Sequence, residues 1–244
     1  MSNKDSIALV WCDNGMVEGK FMQGVADVLL KSGVKFESTL RSQGNQIARQ
    51  RQTVIDYWYD KTDYEWLLWV DSDVVISPEK FKLLWDNRDA EKRPLVTGVY
   101  FTTDTPEEPL MIPMPTVYNF INDGDGGIGI TRVHPLPENQ LIKVEAAGMG
   151  FVLMHRSVVP KVREAGPDGQ VFMEIGKGTK FMGEDIFFFA LCDKAEVPVY
   201  CHTGATVPHM KRFSFDEHYY KAFFGKPKEE SKLITPNKKI ITPR

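Results

Sequence analysis

The chain has little cysteine: Cys12, Cys192 and Cys201 are odd in number, widely spaced and without any Cys-x-x-Cys pair. They suggest neither a disulfide framework nor a zinc knuckle, and a reducing cytosol is the expected compartment. No apolar run approaches the roughly 20 residues that cross a bilayer, and the polar start from Met1 to Asp5 lacks the basic and long apolar regions of a secretory signal. No membrane span is therefore expected. Neither sign of charge is in large excess: 30 Lys and Arg against 33 Asp and Glu leave a formal net charge of -3, with no overall pull towards nucleic acid or anionic lipid. No internal repeat is visible, and no glycine-rich phosphate loop follows the first apolar segment.

What is present is the composition of a folded protein, with 42% hydrophobic and 26% charged residues in 244, a length that suits one large α/β domain. Ser6 to Cys12 reads as a buried strand, and Phe21, Met22, Val25, Val28 and Leu29 recur at helical spacing after it. Val34 to Leu40 is a second strand, and Ile47, Ala48, Val54, Ile55 and Trp58 mark a second amphipathic helix. The continuous apolar run Glu65 to Val70 suits a central parallel strand, Ser77 and Pro78 start the next helix, and Pro94 to Phe101 makes a fourth strand. This alternation predicts a mostly parallel central sheet flanked by helices, with ligands beyond the carboxyl ends of its strands.

After residue 103 the pattern changes. Asp123-Gly124-Asp125-Gly126-Gly127 predicts a small antiparallel hairpin between Val117 to Ile121 and Ile128 to Val133. Leu141 to Ala147 and Phe151 to His155 are further strands, Ser157 is placed to cap a short helix, Glu184 to Ala195 reads as a helix, and Val197 to His202 as a late strand. The expected organisation is one domain over residues 1–224, with a nucleotide-binding half (1–103) and an acceptor half (104–224), and a tail at 225–244 rich in Lys, Glu and Pro.

Asp71 and Asp73 follow the apolar strand Trp66-Leu67-Leu68-Trp69-Val70, where a parallel strand delivers side chains to a ligand crevice. In an extended backbone, residues two apart point to one side, so both carboxylates could face a common cation. Magnesium-like ions take oxygen ligands and commonly combine one or two carboxylates with substrate phosphates and water. Taken alone, an Asp-x-Asp is more often a solvated turn or cap.

The order of motifs adds to this. Gln46-Ile47-Ala48-Arg49-Gln50-Arg51, Trp69-Val70-Asp71-Ser72-Asp73, Gly98-Val99-Tyr100, Gly148-Met149-Gly150-Phe151-Val152-Leu153, Gly183-Glu184-Asp185-Ile186-Phe187-Phe188 and His209-Met210-Lys211 resemble, over roughly residues 6 to 212, nucleotide-sugar glycosyltransferases of the GT-A fold and family 2 type, compact bacterial and phage-encoded members included. The resemblance implies that Asp71, Ser72 and Asp73 bind the donor. It makes Asp71, Asp73 and His209 the ligands of Mn2+ or Mg2+, Asp185 with Glu184 the base motif, and Gly148 and Gly150 part of a loop against the transferred sugar. It also favours Arg49 over Arg51 as the arginine facing the nucleotide, although relatives often carry Asn where this chain has Gln50.

Each residue also has a plainer reading. Arg49 and Arg51 diverge by about 200° on a helix, so one can face the crevice while the other is solvated or salt-bridged. Gly148 and Gly150 could serve only a tight turn. Glu184 and Asp185 could simply complement the positive end of a helix dipole. His209 could be a surface histidine, and His202 competes for its role. Lys211 could screen a leaving diphosphate or be solvated. Trp11, at the end of the first strand, could border the nucleotide base or pack in the core.

The expected activity is inverting transfer of a sugar from a nucleotide diphosphate donor, UDP-linked by preference, to an acceptor hydroxyl on a glycan, a small molecule or a modified DNA base. For DNA, Lys226, Lys228, Lys232, Lys238 and Lys239 of the tail could touch phosphates. Rival readings are a nucleotidyltransferase, which attacks phosphorus and needs the phosphate loop absent here, and a sugar-nucleotide-binding domain without turnover.

Overall fold

Continuous apolar strands with helices between them bury both faces only as the middle layer of three, and the computed structural model of the chain has that arrangement. It describes residues 4–103, 112–122, 128–177, 180–211, 217 and 221. The first half runs β1 (Ile7–Asp13), α1 (Gly19–Lys31), β2 (Phe36–Gln43), α2 (Ile47–Lys61), β3 (Trp66–Val70), α3 (Pro78–Asn87) and β4 (Leu95–Val99). Then follow β5 (Phe101–Thr102), β6 (Met114–Pro115), β7 (Val117–Asn122), β8 (Ile128–Arg132), β9 (Leu141–Val144), β10 (Ala146–Ala147) and β11 (Phe151–His155). The described part closes with α4 (Val158–Ala165), β12 (Ile175–Lys177), β13 (Lys180–Met182), α5 (Glu184–Lys194) and β14 (Val199–Thr206).

The seven-stranded sheet has the order β2-β1-β3-β11-β4-β14-β9. β2, β1, β3, β4 and β14 share one direction, while β11 runs antiparallel between β3 and β4, and β9 antiparallel at the edge beside β14. Side-chain alternation divides the core in two. Ile7, Leu9, Trp66, Leu68 and Val70 meet Phe21 and Val25 of α1 and Phe81 and Leu84 of α3. Ala8, Val10, Leu67 and Trp69 meet Val54, Ile55 and Trp58 of α2, together with α4 and α5. In α5, Phe187, Phe188 and Phe189 are all buried, so this helix is held on several sides and gives its first residues a rigid seat.

Several local readings change: the fourth strand stops at Val99, with Phe101 in β5 beside β6, and the late strand runs Val199–Thr206. The second strand begins at Phe36 instead of Val34, and its residues alternate between half-buried and exposed because it is the sheet edge. The stretch Leu141 to Ala147 is two strands: β9 joins the large sheet, β10 pairs with β7, and between them Glu145 accepts a hydrogen bond from the Phe120 amide. Ser157 precedes α4 without capping it, its hydroxyl engaging His155 Nδ1 at 2.9 Å, whereas Ser77 does cap α3 by accepting from the Lys80 amide at 3.3 Å.

The hairpin forms as β7 and β8; its turn, 123–127, lies outside the described residues. The chain divides into two compact units, Met1–Thr103 with Pro113–Lys211, and Asp104–Ile112 with Arg212–Arg244. The first carries the whole sheet. Of the second, Ile112, Glu217 and Lys221 are described, the last two forming a 2.6 Å ion pair. The expected domain end at 224 and the tail at 225–244, with its lysines, lie outside the described residues. Among the described residues no helix is long and apolar enough to cross a membrane.

Candidate active site

β3 ends at Val70, and the backbone turns at once: the Val74 amide donates to the Asp71 carbonyl at 2.9 Å. The extended geometry expected for Asp71-Ser72-Asp73 is therefore not adopted, and the two carboxylates part. Asp71 meets α2, where Arg51 Nη2 donates to its Oδ1 at 2.7 Å. Asp73 meets the segment after β14: His209 Nε2 and Lys211 Nζ both lie 3.1 Å from its Oδ2. That segment is pinned to the turn by hydrogen bonds from the Val75 amide to the Pro208 carbonyl and from the Met210 amide to the Asp73 carbonyl, which is why His209, and not His202 back on β14, reaches Asp73. Ser72 sits half-buried between them.

Arg51 is the hinge of the first group. Its side chain is 5% exposed, and Nη1 donates to Glu184 Oε1 at 2.8 Å while Nη2 holds Asp71. Arg49, the arginine expected at the nucleotide, is exposed on the other side of α2. Helical phase separates them: Arg51 precedes Val54, Ile55 and Trp58 by three, four and seven positions, on the buried stripe. Sequence periodicity carried this signal; the resemblance pointed elsewhere.

One guanidinium faces three carboxylates, Asp71, Glu184 and Asp185. Burial pushes Asp185 above the usual carboxylate range and Asp71 adds to it, with Arg51 opposing; Glu184 is raised by burial in the same way. Asp73 goes the other way: burial lifts it, but the hydrogen bond from His209 and the charges of His209 and Lys211 outweigh that and hold it low. Cys12, beneath the cluster on β1, is pushed by burial to about 12, so it is an inert thiol and no nucleophile.

Tyr100, after β4, links the two groups; in the sequence it is only the last residue of the Gly98-Val99-Tyr100 motif, with no role of its own. Its ring meets His209 edge-on at 4.9 Å, and burial pushes its phenol well above the usual value, keeping it protonated. It also accounts for the glycine loop. A Cβ on Gly148 would stand 2.0 Å from the Tyr100 hydroxyl, and one on Gly150 2.8 Å from Tyr100 Cε1 and 3.0 Å from Asp71 Oδ2. The two glycines are thus required by the protein's own phenol and carboxylate. The Gly150 carbonyl, at the start of β11, accepts from the Asp71 amide at 3.1 Å.

At the end of β1, Trp11 is half-buried, donates from Nε1 to Asp13 Oδ2 at 2.9 Å and meets Phe21 edge-on. Asp13 is held by Arg41 through two bonds, at 2.6 and 2.7 Å, and Gln50 Nε2 bonds the carbonyls of Asp13 and Ser42, both at 2.8 Å.

The fold, a mostly parallel sheet between layers of helices, has counterparts among solved structures. A197 from STIV is 21% identical, with a TM-score of 0.54 over 85% of this chain and 86% of that one. GalNAc-T7, solved with UDP, GalNAc and Mn2+, is 10% identical with a TM-score of 0.53, and the match covers 86% of this chain but 44% of that one. The fold is of the GT-A type. A CMP:2-keto-3-deoxy-manno-octonic acid synthetase also aligns, at a TM-score of 0.44 and 11% identity over 86% of this chain and 92% of that one, too distant to weigh in the argument. No protein-family model and no curated protein matches the sequence.

The three expected metal ligands do not gather: among the described residues no group of three or more His, Cys, Asp or Glu could hold an ion. Asp71 is missing from the set because Arg51 takes it. The remaining two, Asp73 and His209, are joined to each other by a hydrogen bond. Ligands at right angles on an octahedral ion with bonds near 2.1 Å lie about 3.0 Å apart, and Asp73 Oδ2 and His209 Nε2 are 3.1 Å apart. The Lys211 ammonium shares that same oxygen at 3.1 Å.

Proposed function

We propose that this GT-A domain is a glycosyltransferase that moves a sugar from a nucleotide diphosphate, UDP by preference, to an acceptor hydroxyl by single displacement with inversion. The observation that supports the reading is that one end of one sheet holds both Asp73 beside His209 and a carboxylate with raised proton affinity, Asp185.

Asp185 is proposed as the base. Burial strengthens it as a proton acceptor and Asp71 adds to this, while the Arg51 guanidinium opposes it. Its Oδ1 accepts from the Ile186 amide at 2.8 Å, which fixes the carboxylate at the start of α5 and leaves the other oxygen for the acceptor. As Asp185 takes the hydroxyl proton, the acceptor oxygen bonds the anomeric carbon and the bond from that carbon to the diphosphate breaks. Glu184, held by Arg51, orients the acceptor side.

Asp73 and His209 would hold Mn2+ or Mg2+, the imidazole favouring manganese. Such an ion, when bound, neutralises charge on the departing diphosphate. Lys211 supplies a second positive charge there, and Asp71 raises the proton affinity of Asp185 and holds Arg51 in place. Trp11, Ser72, Gly148 and Gly150 border the donor, with Arg49 at its exposed edge. Thermal melting with a panel of nucleotide sugars, with and without manganese, tests the reading, because a ligand bound only by the folded state raises the melting temperature. A shift for at least one nucleotide diphosphate sugar that requires manganese supports it; no shift for any member counts against it.

A further inference from the structure

Phe181 is an exposed aromatic residue. Its side chain is 70% exposed, on a two-stranded sheet, β12 with β13, that pairs with no other described strand. Across the hairpin Phe181 faces Gly176, so no side chain covers it from the partner strand. The neighbouring Met182, on the opposite face, packs against the core and anchors the hairpin. The hairpin is thus anchored through Met182, while Phe181 stays bare of cover.

Its position gives the bare face a purpose. A Cβ on Gly183 would lie 3.9 Å from Phe181 Cε1 and 3.1 Å from Asp185 Oδ1, so the ring edge and the carboxylate border the same glycine. Resting on the reading of Asp185 as base, we infer that Phe181 is the acceptor platform and that the acceptor is an uncharged glycoside, stacked by the C–H face of its pyranose ring on the phenyl ring. A pyranose is apolar on its faces and carries hydroxyls around its rim, so stacking on Phe181 directs a rim hydroxyl at Asp185. The Asp185 carboxylate beside the ring favours an uncharged acceptor over a polyanion; Lys177 and Lys180 lie on the same hairpin as Phe181, so the oligonucleotide control decides between the two.

The test uses the full chain with manganese and the donor found by melting, offering methyl glucoside, methyl galactoside and methyl N-acetylglucosaminide, with glycerol and a single-stranded oligonucleotide as controls. Transfer to at least one glycoside is expected. Phe181→Ala should raise the glycoside KM about five- to tenfold, leave donor KM and donor hydrolysis within about twofold, and Phe181→Trp should restore binding. Ligand-observed NMR of the same glycosides needs no turnover, so loss of their signal in Phe181→Ala supports the platform even if Asp185 is not the base, whereas normal turnover by Asp185→Asn overturns only the base. An unchanged glycoside KM and NMR signal in Phe181→Ala, an equal loss of donor hydrolysis, or transfer to glycerol or the oligonucleotide but to no glycoside overturns the platform.

Discussion

Arg51 and Glu184 stand 133 positions apart in sequence and are joined by a hydrogen bond of 2.8 Å between Nη1 and Oε1, while the same guanidinium holds Asp71 at 2.7 Å. The first turn of α5 is thus tied to the end of β3 through one buried cation. Removing one partner of a buried ion pair costs about 3 to 5 kcal/mol, because the charges left behind are uncompensated. Arg51→Met should therefore lower stability by about that amount in urea unfolding. Arg51→Lys should recover only part, since one ammonium does not reproduce two diverging N–H bonds.

Asp185→Asn should act oppositely on stability and activity. Burial raises the folded-state pKa of Asp185, so the native state binds a proton more tightly than the unfolded chain, and this group's contribution to stability falls as pH rises from the ordinary carboxylate range through the raised value. The amide removes that cost while keeping the oxygen that accepts from Ile186. The Asp185→Asn protein should melt higher than wild type at neutral pH, the difference vanishing near about pH 4, and transfer should fall at least about 100-fold.

The glycine loop gives a third outcome. Gly148→Ala places a methyl against the Tyr100 hydroxyl and should destabilise by about 1 to 3 kcal/mol. Tyr100→Phe removes the nearest clashing atom, so the double substitution should be more stable than the two single losses predict when summed. Additive losses in chemical denaturation would contradict the contact.

How much of this was legible in the sequence follows from what local pattern can carry. β3 was readable because Trp66 to Val70 is a continuous apolar run and is buried throughout. β2 slid by two residues because an edge strand of alternating exposure has no apolar block to fix its ends. Asp71 and Asp73 were placed correctly at the strand's end, but their divergence depends on a turn closed by Val74 and on partners from residues 51 and 209, which no spacing rule contains. The apolar stripe of α2 did encode the burial of Arg51. Tyr100 was hidden because its role depends on two glycines brought to it by β11.

The cation pair gives a fourth outcome. Asp73→Ala and His209→Ala should each abolish the manganese-dependent part of donor-induced stabilisation, a shift read by melting. Asp71→Asn should spare most of it and instead weaken the Arg51 link, lowering stability without ligand. Equal loss of manganese response in all three would restore Asp71 to the ligand set.

The central claim is that Asp73 with His209 and Asp185 serve one transfer reaction in separate roles. Its most direct measurement is the release of nucleoside diphosphate from the identified donor in the presence of acceptor, followed in wild type, Asp73→Ala and Asp185→Asn, with manganese and with a chelator. The account predicts turnover by wild type that stops on chelation, loss of donor binding in Asp73→Ala, and retained donor binding without transfer in Asp185→Asn. Transfer that continues at the wild-type rate in Asp185→Asn, or that ignores both the chelator and Asp73→Ala, would contradict it.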